Sequence, residues 1–404
     1  MPDSILTGPA LTQRFDQLNA LLTAHEDLWR PKPFTQLTLK WETRYPQLSQ
    51  WLRARSLEDA EAAHQQPWTL NAPEPFASIA REVQVLIEVG NFEQTPYRPQ
   101  PSARQINAVP GRKLAQIQAF ADSLKFVHNP GHWLDWCAGK GHLGRWLTLD
   151  DQAVTCLEYD AELVAAGVQL SQRLGVNAQH LLQDVLDDSV HGQLQARHTP
   201  VALHACGDLH VRLLQLASTQ GCRQLAVAPC CYNRISTEHY QPLSTAAQAS
   251  TLRLSREDLG LPLNEAVTAS PRIRRQRDQS MAWRLAFDLL QRQVRGIDTY
   301  LPTPSLSRDW FDLPFADFCQ RLGEQRGLAF PQHHDWTALE AQGWQRLAHV
   351  RNLELVRQLF RRPLELWLIL DRALYLQQQG YSVMLGSFCD YQLSPRNLLL
   401  LAER

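Results

Sequence analysis

Lysine is scarce in this chain: five lysines, at positions 32, 40, 113, 125 and 140, stand against 35 arginines. Charge of one sign is absent as an excess, since 40 basic residues meet 41 acidic ones for a formal net charge of −1. No global field therefore draws the molecule to nucleic acid or to a membrane. Long hydrophobic runs are missing too. The richest segments, "PLELWLILDRALYL" and "NLLLLAER", are too short or too charged to span a bilayer. The start, "MPDSILTGPALTQRFDQL", lacks the basic and apolar regions of a secretory signal. Cysteine is sparse, eight in 404 residues, with neither framework spacing nor a C-x-x-C pair. That excludes a disulfide scaffold and favours free thiols in a reducing compartment, so a cytoplasmic location with no membrane partner is expected.

What is present is patterned. There is no internal repeat and no low-complexity tract. Residues 1–105 read as a helical N-terminal domain, with segments such as "ALTQRFDQLNALLTAH" and "FASIAREVQVLIEVGNF", and a Pro-rich connector, "TPYRPQPSARQINAVPG", follows. Residues 106–235 then alternate strand with helix. "HWLDWCAG", "AVTCLEYD", "AQHLLQD", "PVALHACGD" and "RQLAVAPCCYN" are the strand-bearing pieces. Such alternation is the signature of a parallel sheet wrapped by helices. Residues 236–380 turn helical and irregular, as an insertion that would select a substrate. Residues 381–404, "YSVMLGSFCDYQLSPRNLLLLAER", look like two strands joined through Ser394-Pro395 and completing the sheet.

The stretch "LDWCAGKGHLG" sets Gly139, Gly141 and Gly144 in a G-x-G-x-x-G arrangement between strand and helix. Glycine suits a backbone that must turn tightly and lie against a ligand. Glu158 ends the next strand, where a carboxylate can accept both hydroxyls of a ribose. Asp135, near the first strand's end, suits a cationic amino-acid moiety better than a pyrophosphate. The pair favours S-adenosylmethionine over a dinucleotide.

Together "LDWCAGKGHLG", "CLEYD", "LLQD", "HACGD" and "PCCYN" resemble the successive motifs of class I S-adenosylmethionine-dependent methyltransferases. They are most similar to a subfamily with GKGHL, HACGD and CCY signatures, distantly related to a tRNA ribose methyltransferase. The resemblance implies an α/β, Rossmann-like class I methyltransferase sheet with a terminal strand hairpin. It covers residues 105–235 and the last 25, and "PGRKLAQIQAFADSL" resembles the family's lysine-containing helix. It also implies that Asp135, Gly139, Lys140 and Gly141 line the methionine part of the cofactor, that Glu158 holds the ribose and that Asp184 with Val185 meets the adenine. Cys137, His142, Tyr159, His204 and Cys206 belong to the same segments and are candidate cofactor contacts. Cys137 stands where most such enzymes have a glycine, so the backbone need not take a positive φ there.

Cys137, Cys206, Cys230 and Cys231 fall at three strand ends that open on one crevice. Three readings compete for them: soft packing, a metal or redox site, and a nucleophile adding to a pyrimidine ring. Adjacent cysteines suit one tetrahedral ion poorly, so no metal is expected. On the acceptor side, Tyr232 is placed to stack a flat substrate, Asn233 to bind the acceptor atom, and Asp208 either to act as a base or to cap a helix. The Asn/Asp-Pro-Pro-aromatic run of many nitrogen methylators is absent. For the acceptor, "PRIRRQR" carries four arginines from Arg272 to Arg277, and "RQLFRRP" adds Arg357, Arg361 and Arg362. Arginine forks suit phosphates, which makes tRNA or rRNA the leading acceptor. A protein or small-molecule acceptor is the alternative, and a non-catalytic scaffold a third reading.

Overall fold

The structure is a computed structural model, and it describes residues 4–95, 109–148, 152–263, 271–330 and 334–404. Most of the Pro-rich connector lies outside the described residues. Among the described residues eight strands form one sheet: β1 (Leu6–Thr7), β2 (His132–Trp136), β3 (Ala153–Glu158), β4 (Ala178–Leu182), β5 (His198–Cys206), β6 (Gln224–Cys230), β7 (Ser382–Ser387) and β8 (Leu398–Glu403). Their order is β1-β7-β8-β6-β5-β2-β3-β4. The strands from β4 to β6 run parallel, while β8 enters antiparallel between β6 and β7. That reversed final strand is the sheet of the class I, Rossmann-like methyltransferase fold, as the motif resemblance implies. β2 neighbours β3 on one side and β5 on the other, so the chain reverses its winding there. Ligands bind at such a switch point, outside the carboxyl ends of the strands.

The strands sit where their composition sends them. β6 is buried along its whole length, and β2 is buried from Trp133 onward, the continuous apolar pattern of a strand covered on both faces. Trp133, Val154, Val201, Ala226, Leu399 and Leu401 share one core with Ile117 and Phe120 of the helix Gly111–Asp122. β1 departs from the helical reading of the N-terminus. Two residues are too few to show a period, yet they pair with Leu385 and Met384 and extend the sheet edge.

The chain divides into two compact units that cut across the sequence boundaries. One comprises residues 1–23, 86–263 and 362–404, and the other residues 24–85 and 264–361. The first contains the sheet, and its N-terminal helix Pro9–Ala24 buries Leu11, Phe15, Leu18, Leu21 and Leu22. Phe15 packs on Trp367 with ring centroids 5.2 Å apart. The second is helical, with an aromatic core of Trp283, Phe287, Phe315 and Phe318. There buried Asp288 takes Arg292 at 3.0 Å and Arg346 at 2.6 Å. Helices distant in sequence share each core because apolar faces choose partners by shape, and a hydrophobic period records only that a face exists.

Candidate active site at the carboxyl ends of the strands

The glycine loop leaves β2 through a run of left-handed residues: Cys137 at φ 58°, Gly139 at 58° and Gly141 at 69°. The expectation for Cys137 is corrected here, because it adopts the glycine conformation despite its Cβ. Strain of this kind survives only where the surroundings fix the backbone, and it concentrates at functional sites. Ala138 N–H donates to Leu157 O at 2.9 Å and Gly139 N–H to Glu158 Oε2 at 2.8 Å, which holds the loop against β3. Glu158 Oε1 accepts from Asp160 N–H at 3.0 Å. Glu158 thus sets the loop while staying half-buried, and Tyr159 beside it is exposed. Gly141 is needed for a second reason. A Cβ there would meet His180 Cε1 at 2.5 Å, whereas a Cβ on Gly139 would project into space with no atom within 4 Å.

Asp135 lies beneath the loop. It is 2% exposed, accepts Gly144 N–H at 2.8 Å, and burial raises its carboxyl to a pKa of about 7. His142 is buried beside Arg145, whose Nη2 lies 3.1 Å from His142 Nδ1. Arg145 reaches Ser171 Oγ, which pairs with His180 Nε2 at 2.9 Å. Burial, then Arg145 and the nearby lysines, lowers His142 to about 4, so it is a neutral packing partner of the loop. Lys140 is exposed. At the end of β4, Asp184 is exposed and its Oδ1 accepts Leu186 N–H at 2.9 Å, while Val185 is buried.

The second cluster forms where β5 and β6 end. The register slips between Leu203 and Ala205, so His204 is an extra residue at φ 65° and Cys206 pairs with Cys230 instead of Cys231. Pro229, which has no N–H to donate, sits opposite the slip. Cys206 Sγ and Cys230 Sγ lie 3.4 Å apart, and Cys230 Sγ–H donates to His204 O at 3.1 Å. Hydrogen bonding from Cys230 and Cys206, with Arg396 and Arg234 nearby, holds Cys231 below the ordinary thiol range. Burial pushes the Cys137 thiol up. His204 Nε2 pairs with Gln116 Oε1 at 3.1 Å, and burial, then Arg396 and Lys113, lowers its pKa to about 4.

Three expectations change on the acceptor side. Tyr232 is 1% exposed, with His210 edge-on and the Arg372 guanidinium 5.1 Å above its ring. It is a core residue without a free face for stacking. The left-handed turn at Cys231, φ 44°, sends it inward. Asp208 neither caps its helix nor stands free: its Oδ2 accepts Ser236 N–H at 2.7 Å and ties down the segment after Asn233. Asn233 Oδ1 is buried with no hydrogen-bond partner among the described residues. An orphaned acceptor of this kind is what an incoming donor would satisfy. Of the arginines, Arg357 and Arg361 are buried, with Arg357 Nε donating to Trp29 O and Nη1 to Glu354. Arg362 holds Glu365 at 2.7 Å and Asn397 at 2.9 Å. Arg357 and Arg362 are therefore structural, because their guanidiniums are spent on internal acceptors, and Arg361 is buried beside them in sequence. Arg272, Arg274 and Arg275 are exposed on the helix Pro271–Arg295, while Arg277 bonds Glu61 at 3.0 Å.

Sequence reasoning missed Gln116, which carried no signal, and Gly207, which did. Gly207 has φ 48°, and a Cβ there would fall 1.9 Å from Arg234 O, so the β5 turn exists only with glycine.

Residues 112–238 match the sequence model of a family described as a methyltransferase domain. Among solved structures, one concerning conversion of a disulfide bond into a thioacetal group during echinomycin biosynthesis is 19% identical. It covers 33% of this chain and 54% of its own, with a TM-score of 0.24. A plantazolicin methyltransferase bound to SAH is 17% identical over 45% of this chain and 58% of its own, TM-score 0.20. A coclaurine N-methyltransferase bound to N-methylheliamine and SAH is 13% identical over 98% and 94%, TM-score 0.28. The chain thus spans little more than half the length of the first two, at 54% and 58%. Superpositions this loose carry no weight beside the strand order and the family match. The cradle itself fits a nucleoside with a cationic tail: bare backbone at Gly139 opens on free space, and Glu158 keeps lone pairs beyond the two it gives the loop. Residues 112–238, about a third of the chain, are thus similar to a methyltransferase domain.

Proposed function

We propose that the chain methylates RNA. S-adenosylmethionine supplies a methyl group on a positive sulfur, so the protein has only to place an acceptor in line. Glu158 holds the sugar, the backbone of Gly139 and Gly141 accommodates the tail, and Asp184 with Val185 flanks the base. Buried Asn233 Oδ1 receives a donor of the acceptor group. The observation that carries the RNA reading is the exposed trio Arg272, Arg274 and Arg275 on the first turns of one helix. Three guanidinium forks within four residues suit successive phosphates.

The test is a mobility shift with bulk tRNA across a salt series, followed by mass spectrometry of nucleosides from a deletion strain. A shift that weakens with salt and one missing methylated nucleoside are expected. Unchanged nucleosides together with methylation of a small molecule or protein would replace RNA as the acceptor.

A further inference from the structure

We propose that Cys206, Cys230 and Cys231 form a binding site for a thiophilic divalent cation, with zinc(II) the ion their chemistry suits. The objection from sequence is that adjacent cysteines on a strand point to opposite faces and cannot share an ion. Two backbone devices remove it. The bulge at His204 shifts the register by one residue and sets Cys206 beside Cys230. The left-handed backbone of Cys231 then turns its side chain back toward the same side. The three sulfurs lie within 4.8 Å of one another. Zinc–sulfur bonds near 2.3 Å in tetrahedral geometry require about 3.8 Å between sulfurs, so small side-chain rotations suffice.

The guanidiniums of Arg234 and Arg396 stand close enough to Cys231 to act on its charge. A zinc ion on three thiolates carries one net negative charge, which those guanidiniums offset. Each thiol still protonated passes its proton to solvent as its sulfur–metal bond forms. No fourth ligand joins the cluster among the described residues. His204, on the same strand end, turns its Nε2 to Gln116. Three protein ligands and one position left for water or an exogenous donor are the pattern of a zinc site that binds a further molecule. Cys206 and Cys231 are only half-buried, so that molecule has access. The site stands on the cysteine geometry alone and does not depend on the acceptor being RNA.

The full chain, reduced and stripped with a chelator, is titrated with zinc(II) against a chromophoric chelator, and separately with cobalt(II), whose thiolate charge-transfer band reports sulfur ligation. One equivalent of zinc per chain is expected. Cys206→Ser and Cys231→Ser should each weaken it at least about tenfold, while Cys389→Ser, a half-buried thiol outside the cluster, leaves it unchanged. Zinc should also protect Cys206 and Cys231 of the parent chain from alkylation, a reading that needs no variant to fold. Equal affinity in the parent and both serine variants, no protection, or no zinc bound by folded parent would overturn the site. S-adenosylmethionine binding, followed by calorimetry on the same samples, reports separately on the cofactor cradle.

Discussion

Gly139 and Glu158 meet through one hydrogen bond of 2.8 Å, and each has a role the other cannot take. The glycine leaves space, while the carboxylate fixes the loop and, in the proposed reading, accepts the hydroxyls of a sugar. Gly139→Val fills that space and forces a β-branched residue to φ 58°, and Glu158→Ala removes the acceptor. Both variants are expected to lose at least about tenfold in S-adenosylmethionine affinity by calorimetry, with the far-ultraviolet dichroism of the folded chain retained. Unchanged affinity would take these residues out of the site. Asp135 allows a prediction in pH. Its carboxyl is raised to about 7 by burial, whereas an unfolded aspartate titrates near 3.9. Between those values the folded state holds a proton that the unfolded state has released, so stability falls as pH rises from about 4 to about 7. The slope from this group approaches about 1.4 kcal/mol per pH unit. Asp135→Asn keeps an acceptor for Gly144 N–H and should flatten that part of a urea-denaturation profile.

Among elements, the helix Arg361–Gln378 is the clearest case of a polar anchor inside an apolar pattern. Its sequence, with Leu364, Leu366, Trp367, Leu368 and Ile369 all buried, reads as a plain core helix. Yet Asp371, fully buried, accepts Leu243 N–H at 2.9 Å, Ser244 N–H at 2.7 Å, Ser244 Oγ–H at 2.6 Å and the Tyr240 hydroxyl. Arg372 next to it donates to His210 Nε2 at 3.1 Å and also reaches Tyr240. Asp371→Ala would leave those donors without an acceptor in a dry interior. A loss of about 3–5 kcal/mol is expected in chemical denaturation, with the 240–247 segment the first to gain proteolytic sensitivity. The strand ends teach a related lesson. A bulge and three left-handed residues, Cys137, His204 and Cys231, gather at the carboxyl ends of β2, β5 and β6. Non-glycine residues there cost about 1–3 kcal/mol each, so the surrounding structure must fix the backbone at these strand ends.

At the scale of the whole molecule, the near-zero net charge means that the proposed RNA acceptor would have to be held by local clusters, and only one of the two arginine groups is exposed. Replacing Arg272, Arg274 and Arg275 together by alanine should reduce the slope of log affinity against log salt by about two to three, and leave S-adenosylmethionine affinity unchanged. An unaltered slope would remove this helix from the RNA surface. Among the described residues no helix is long and apolar enough to cross a membrane.

The sequence by itself determined the strand–helix alternation, the glycine loop with its carboxylate nineteen residues on and the closing strand hairpin, because each follows from local periodicity and short spacing. It also placed four cysteines at three strand ends. Only the tertiary structure decided which side chains face the crevice. Tyr232 turns into the core and Arg357 is spent on a carbonyl, since orientation depends on backbone conformation and on partners far along the chain. The bulge at His204 and the turn at Cys231 bring three thiols together, and neither is a composition signal, because both arise from the fit between neighbouring strands. The partition into two units was likewise beyond sequence, for a buried face shows its period but not its partner.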